Sequence, residues 1–301
     1  MNTSSPQFGA DRVELGMIMM LVAWGFFALV DTSVKWLVLA GLPALQLAFI
    51  RYAGQFVITC ALSLHDFGPL PVLTRHQLVM LTIRSALLAS ATALNFYALR
   101  FLPLSLTASI MFSSPIFVSL LAMPLLGERI GRWRWGAVLL GFVGVLVIIQ
   151  PFGSAFHPAA LIIVYNALAL ALFSIITRKL SNQVTPQTMQ MFMGGLGTIV
   201  LLPFAIITWQ IPDTTLSWAL MIALGFWAWA GHEIFTRAHA FAQASVLMPF
   251  SYSFILYLSL SSYLVWGDLP SASTLVGAVI IVFSGLIIWW RENTVLKRRP
   301  S

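Results

Sequence analysis

Charge is what this chain has least of. Asp, Glu, Lys and Arg make up 8% of its 301 residues, while 59% are hydrophobic. An ordinary soluble domain carries about 25% charged residues, so a water-facing surface cannot be assembled from this composition. Cysteine is scarcer still: Cys60 stands alone, which excludes a disulfide framework within the chain and a cysteine-based zinc site. The five histidines are scattered. No P-loop lysine follows a Gly-x-x-x-x-Gly pattern, and no dinucleotide fingerprint opens a strand-turn-helix unit. No cofactor, metal or ATPase chemistry is therefore expected, and the energy for any work must come from a gradient. The opening MNTSSPQFGADRVE also lacks the basic start and short apolar core of a cleavable signal peptide.

What the chain has in abundance is long apolar runs. Measured against the roughly 20 residues needed to cross a bilayer, ten candidate spans emerge. They cover about 15 to 37, 44 to 64, 77 to 99, 104 to 126, 133 to 150, 159 to 180, 186 to 209, 215 to 238, 245 to 266 and 271 to 290. The connections between them are too short for a soluble domain. With the N-terminus placed in the cytoplasm, twelve Lys and Arg residues fall on the inner side, among them Arg12, Arg75, Arg132, Arg178 and Arg237. The outer side receives Lys35 and Arg100 alone. This bias predicts an all-α protein of the cell inner membrane with both termini cytoplasmic. The net charge of +7 is then mostly topological rather than a nucleic-acid footprint, and the tail WWRENTVLKRRP reads as an interfacial anchor beside anionic lipid.

The stretch SSPIFVSLLAMPLLGERI, residues 113–130, ends abruptly in charge. Gly127 and the following arginines read as a cytoplasmic turn, with Trp133 and Trp135 at the interface. A weaker echo, SYLVWGDLP, occupies residues 262–270. The flanking sequences align so that Ser105 falls on Ser245, Gly127 on Gly267, Glu128 on Asp268 and Gly144 on Gly285. Five spans separate the copies, and an odd number inverts the second, which explains a turn without Lys or Arg facing outward. Two inverted five-helix repeats, 15–150 and 151–290, are thus expected between tails 1–14 and 291–301. Secondary transporters recurrently use such repeats, with cargo bound near the midplane.

Trp24-Gly25 in the first span, Arg51 in the second, FYALR closing the third, SPIFVSLLAMPLLGER in the fourth and GAVLLGFVGVLVI in the fifth resemble the EamA domains of the drug/metabolite transporter superfamily. The ninth span departs from that pattern, with Ser253 and Ile255 where many relatives have Glu-Pro. The resemblance implies a ten-helix carrier, monomer or homodimer, moving small metabolites by alternating access, most often outward. Cargoes it implies are amino-acid-like compounds including amino-acid-derived metallophores, or, for an importer, nucleoside-like or flavin-like metabolites such as S-adenosylmethionine or riboflavin. A proton or other gradient would drive it. An intramembrane enzyme is a remote alternative, because the repeat has a mechanical purpose that an enzyme does not need.

Function in such a chain should sit on polar groups inside the spans, where each is costly unless it faces the bundle interior, water or a partner. Arg51 and Arg84 are deep enough to hold a cargo carboxylate or phosphate through a guanidinium fork, or to clamp backbone carbonyls. Asp31 and Lys35, and again Glu233 and Arg237, stand four apart and so are expected to pair locally. Otherwise Asp31, Glu233 or the neighbouring His232 would couple transport to protons. The next position in an H-E-x-x-H zinc motif is Thr236, so no metal site forms there. Trp24, Asn95, Tyr97, Tyr165, Asn166, Trp227, Ser251 and Tyr252 are candidates to line a cavity, their amides and hydroxyls bonding cargo and their rings stacking on it. For each, helix packing or an interface belt is the competing reading. Pro115, Pro203 and Pro249 mark positions where spans are expected to break or hinge.

Overall fold

A chain surrounded by hydrocarbon must satisfy its backbone internally, and helices do so within each segment. The computed structural model describes residues 10–63, 73–126, 132–150, 156–180, 183–241, 250 and 253–296, and among these it contains eleven helices and no strand. They are α1 (Ala10–Leu39), α2 (Ala44–Ser63), α3 (Arg75–Ala98), α4 (Leu104–Met111), α5 (Ser114–Leu126), α6 (Arg132–Ile149), α7 (Ala159–Leu180), α8 (Pro186–Thr208), α9 (Thr215–Phe241), α10 (Ser253–Trp266) and α11 (Ala272–Leu296). Among the described residues, five segments are long and apolar enough to cross a membrane: Glu14–Leu39, Ala44–Leu62, Arg75–Ala98, Ala159–Thr177 and Gln187–Thr208. Ile199, Ile207, Leu256 and Val279 point outward, whereas Gln46, Arg51, Gln55, Ser85 and Asn166 are buried. Apolar side chains outside and polar ones inside is the reverse of a water-soluble domain and suits a lipid surround.

Local chemistry sets the ends. Thr74 and Gln77 form a reciprocal capping box at the start of α3, and Thr185 caps α8 ahead of Pro186. Gly267, at φ +72°, ends α10, with its own N–H bonded to the Tyr263 carbonyl and that of Asp268 to Ser262. Only glycine enters this left-handed conformation without a steric cost.

The fourth expected span is two helices. α4 stops at Met111, Phe112 and Ser113 turn, and α5 resumes at Ser114. Pro115 brings no N–H to the first turn of α5, where none is needed, while the Ser113 hydroxyl donates to the Ile110 carbonyl at 2.7 Å. Pro203, by contrast, lies inside a continuous α8. Pro249 and the 127–131 turn lie outside the described residues.

The helices interleave rather than stacking in chain order. α1 packs along α9 and α10; α2 against α8 and α9; α3 against α7 and α8; α4 on α7 and α10; α5 on α7; and α6 along α11. At the α2–α9 crossing, Gly54 meets Gly225 so closely that a Cβ on Gly54 would lie 2.7 Å from the Gly225 Cα. The absence of both side chains is what brings these two backbones together.

Candidate functional site

α2 carries a polar stripe through an otherwise apolar helix, and Arg51 is its centre. The side chain is 6% exposed. Its Nη2 lies 3.2 Å from His232 Nε2 on α9 and its Nη1 3.5 Å from Thr92 Oγ1 on α3. The guanidinium also lies 4.9 Å from the centre of the Tyr52 ring, whose hydroxyl is 3.1 Å from the same Thr92 oxygen. A guanidinium only donates, so His232 Nε2 accepts, and the imidazole is neutral with its proton on Nδ1. The ring of His232 sits edge-on to Phe27 at 4.9 Å. Arg51 therefore gathers α2, α3 and α9 while keeping its charge free of any acidic partner among the described residues.

Asp31 belongs to the same cluster, and here the local expectation fails. Asp31 and Lys35 do not pair. Asp31 accepts from Asn95 Nδ2 at 3.2 Å, within the electrostatic reach of Arg51. Lys35 turns instead to Asp268, 3.6 Å away beyond α10, and lies 4.8 Å from the Trp266 ring centre. Spacing of four residues permits a pair but does not select it when each side chain finds a partner on another element. Glu233 and Arg237, near the partly exposed end of α9, do pair as the spacing suggests, at 2.7 Å.

Arg84 is as buried as Arg51 but is occupied by the protein itself. Its Nε donates to Thr177 Oγ1 at 2.7 Å and its Nη1 to the Met189 carbonyl at 3.4 Å, with Phe173 stacked 4.1 Å from the guanidinium carbon. These contacts tie α3 to α7 and α8. Arg84→Met is expected to lower stability by about 2 kcal/mol, the scale of lost hydrogen bonds from a charged group, while leaving the cargo KM in place. Thermal unfolding in detergent beside initial transport rates checks this, and a raised KM with unchanged stability would place Arg84 on the cargo.

Aromatic rings enclose the cluster on one side. Trp24 meets Phe27 at 5.5 Å, Phe254 at 5.2 Å and Phe235 at 6.2 Å. Trp227 stacks obliquely on Phe26 at 5.9 Å. The indole N–H groups of Trp24 and Trp227 are buried without a partner among the described residues, as are both amide atoms of Asn166. Tyr165 is part-exposed and shares a 2.8 Å hydrogen bond with Ser90, so it braces α7 against α3. Tyr97 is half exposed and packs on Phe101. Ser251 and Tyr252 lie outside the described residues.

Sequence reasoning passed over several members. Gln46, fully buried, exchanges two 2.8 Å hydrogen bonds with the Gln210 backbone and so fastens the start of α2 to the α8–α9 connection. Tyr52, Thr92 and Gln55 were also missed. Gln46, Arg51, Gln55 and Thr59 recur every four or five residues along α2, a polar face that was the available signal.

Comparison with known proteins accords with this arrangement. Residues 14–150 and 157–290 each match the EamA-like transporter family. A riboflavin transporter of Vibrio cholerae is 29% identical over 94% of this chain and 96% of its own length. A pseudopaline exporter of Pseudomonas aeruginosa is 28% identical over 90% of this chain and 95% of its own. A solved crystal structure shares the fold with a TM-score of 0.63 at 15% identity, over 95% of this chain and 99% of that one. An inside-out helical bundle with polar groups gathered at its centre, matched almost throughout by one family, identifies the chain as a member of the EamA-like transporter family within the drug/metabolite transporter superfamily, a multi-pass membrane transporter of small molecules.

Proposed function

We propose that this protein is a secondary carrier that exports a small zwitterionic metabolite, an amino-acid-like compound, across the inner membrane by alternating access. The observation that carries the reading is the joint placement of Arg51 and Asp31. Opposite charges on α2 and α1 face one buried cluster, and neither belongs to an ion pair among the described residues. A cargo bearing both a carboxylate and an amine would complement the two at once, with the guanidinium fork taking the carboxylate. His232 is the coupling group in this scheme: a proton on its Nε2 would remove the acceptor that Arg51 uses and place two cations together. Glu233, bound to Arg237, is the weaker candidate.

Ten spans in two inverted halves, 15–150 and 151–290, with cytoplasmic tails 1–14 and 291–301, are the architecture we assign. Two family matches in succession support it. So does the helix packing, which maps onto itself when the halves are exchanged. α1 on α9 then corresponds to α7 on α3, α2 on α9 to α8 on α3, and α10 on α1 to α4 and α5 on α7. A pseudo-two-fold of this kind lets one half rock against the other about a central site.

The aromatic enclosure of Trp24 favours a second reading, import of a flavin-like cargo, since a flat ring would stack there and one relative is named a riboflavin transporter. Untargeted mass spectrometry of cells and spent medium separates the two. The strains compared are a deletion strain, its parent and a complemented strain. A zwitterion that accumulates inside the deletion strain and disappears from its medium is the expected result. A flavin-like compound left unconsumed outside would replace export by import.

A further inference from the structure

Gln55 is fully buried in the middle of α2, and among the described residues neither its amide oxygen nor its amide nitrogen has a hydrogen-bond partner. This is a costly state for a group with two donors and two acceptor lone pairs, more so where water is excluded. Its surroundings do not relieve it. The nearby Thr59 hydroxyl donates to the backbone carbonyl of Gln55 at 2.8 Å and so serves the helix, not the side chain. Across the seam, Gly225 of α9 comes so close that an added Cβ would lie 3.4 Å from the Gln55 backbone nitrogen. Gln55 is thus held at the contact between α2 and α9, the two helices that also present Arg51 and His232 to each other. It sits one helical turn from Arg51 on the same face of α2, about 6 Å along the axis.

An amide offers a donor beside an acceptor in one plane. The group that satisfies both at once is another planar edge with N–H next to C=O, as in a primary amide, ureide, lactam or imide. We propose that Gln55 is a specificity-determining residue that reads such an amide-type edge on the cargo, one turn from the guanidinium that holds its anionic group. The assignment rests on the Arg51 cluster being the cargo site and narrows the zwitterion to one bearing that edge.

Two matched probes test it on purified full-length protein in detergent and in liposomes. Citrulline is a zwitterion ending in a ureide, and norleucine is a zwitterion of similar reach without one. Wild-type protein is expected to bind and move citrulline in preference to norleucine. Gln55→Leu, which keeps the bulk and loses both hydrogen-bonding functions, should reduce that preference about tenfold, the scale of the net contribution of a hydrogen bond. Gln55→Glu, which offers no donor, should reduce it as well. In the empty protein, Gln55→Leu should raise the unfolding temperature, because an orphan amide is removed from the interior. A lowered unfolding temperature would mean that the amide already serves a structural bond, and would overturn the proposal. An unchanged citrulline preference in Gln55→Leu, or a wild-type protein indifferent to the ureide, overturns it too. Neither result touches the carrier reading, which is decided by the metabolite comparison between strains.

Discussion

Arg51→Ala lowers initial transport at subsaturating cargo by about a hundredfold, the loss expected when a charge-assisted hydrogen-bonding fork is deleted from a buried site. The side chain has four surroundings to lose: His232 at 3.2 Å, Thr92 at 3.5 Å, the Tyr52 ring at 4.9 Å and the field it exerts on Asp31. Its removal leaves Asp31 beside Asn95 without the neighbouring guanidinium, so the cluster loses its cationic member. Arg51→Lys retains a charge but not the planar fork, and an ammonium cannot present two parallel N–H groups to a carboxylate. A loss of about tenfold is expected for it, between wild type and Ala. Initial rates in liposomes with the mass-spectrometrically identified cargo, beside thermal unfolding of each variant, decide the matter. Wild-type rates in both variants would remove Arg51 from the cargo site.

The second large effect is on the fold itself. Gly54→Val should destabilise the protein by about 3 kcal/mol or more, at the upper end of what overpacking a close contact costs. The added Cβ would stand 2.7 Å from the Gly225 Cα, and both atoms belong to helix backbones that no rotamer change moves aside. α2 and α9 would have to separate, carrying Arg51 from His232 and disturbing the seam at Gln55. A control exists in α6, where a Cβ on Gly136 meets nothing within 4 Å. Gly136→Ala should be neutral or slightly stabilising, because alanine loses less backbone entropy in a helix. Size-exclusion profiles and unfolding temperatures measured side by side provide the check. A Gly54→Val protein as monodisperse and stable as Gly136→Ala would show that the crossing is looser than the structure has it.

The single most legible property of this sequence was its solvent. With so few charges and such long apolar runs, lipid is the only surround in which the chain is stable, and lipid in turn demands helices. That chain of reasoning needs no contact between distant residues. Local features were readable for the same reason: the Glu233–Arg237 pair closes within one turn of α9, and the turn after α10 carries the glycine that its positive φ requires. Arg51, Asp31, Asn95, Trp24 and His232 could be picked out one by one, as polar or aromatic groups in costly places.

Their assembly was decided elsewhere. The i, i+4 spacing of Asp31 and Lys35 is compatible with a pair, yet each finds its partner on another element, Asn95 on α3 and Asp268 beyond α10. Arg51 and Arg84 look alike in sequence, and only their neighbours separate them. One meets a neutral imidazole and the Thr92 hydroxyl with no acidic partner among the described residues, while the other is held by Thr177 and the Met189 carbonyl. The break between α4 and α5 and the meeting of Gly54 with Gly225 belong to the same class. A helix that is apolar on every side carries no moment to say which face turns inward. Composition by itself determined the solvent, the helices and the polar residues worth asking about. Which partners each buried charge meets was decided only by the tertiary structure, because they are contributed by helices far away in the chain.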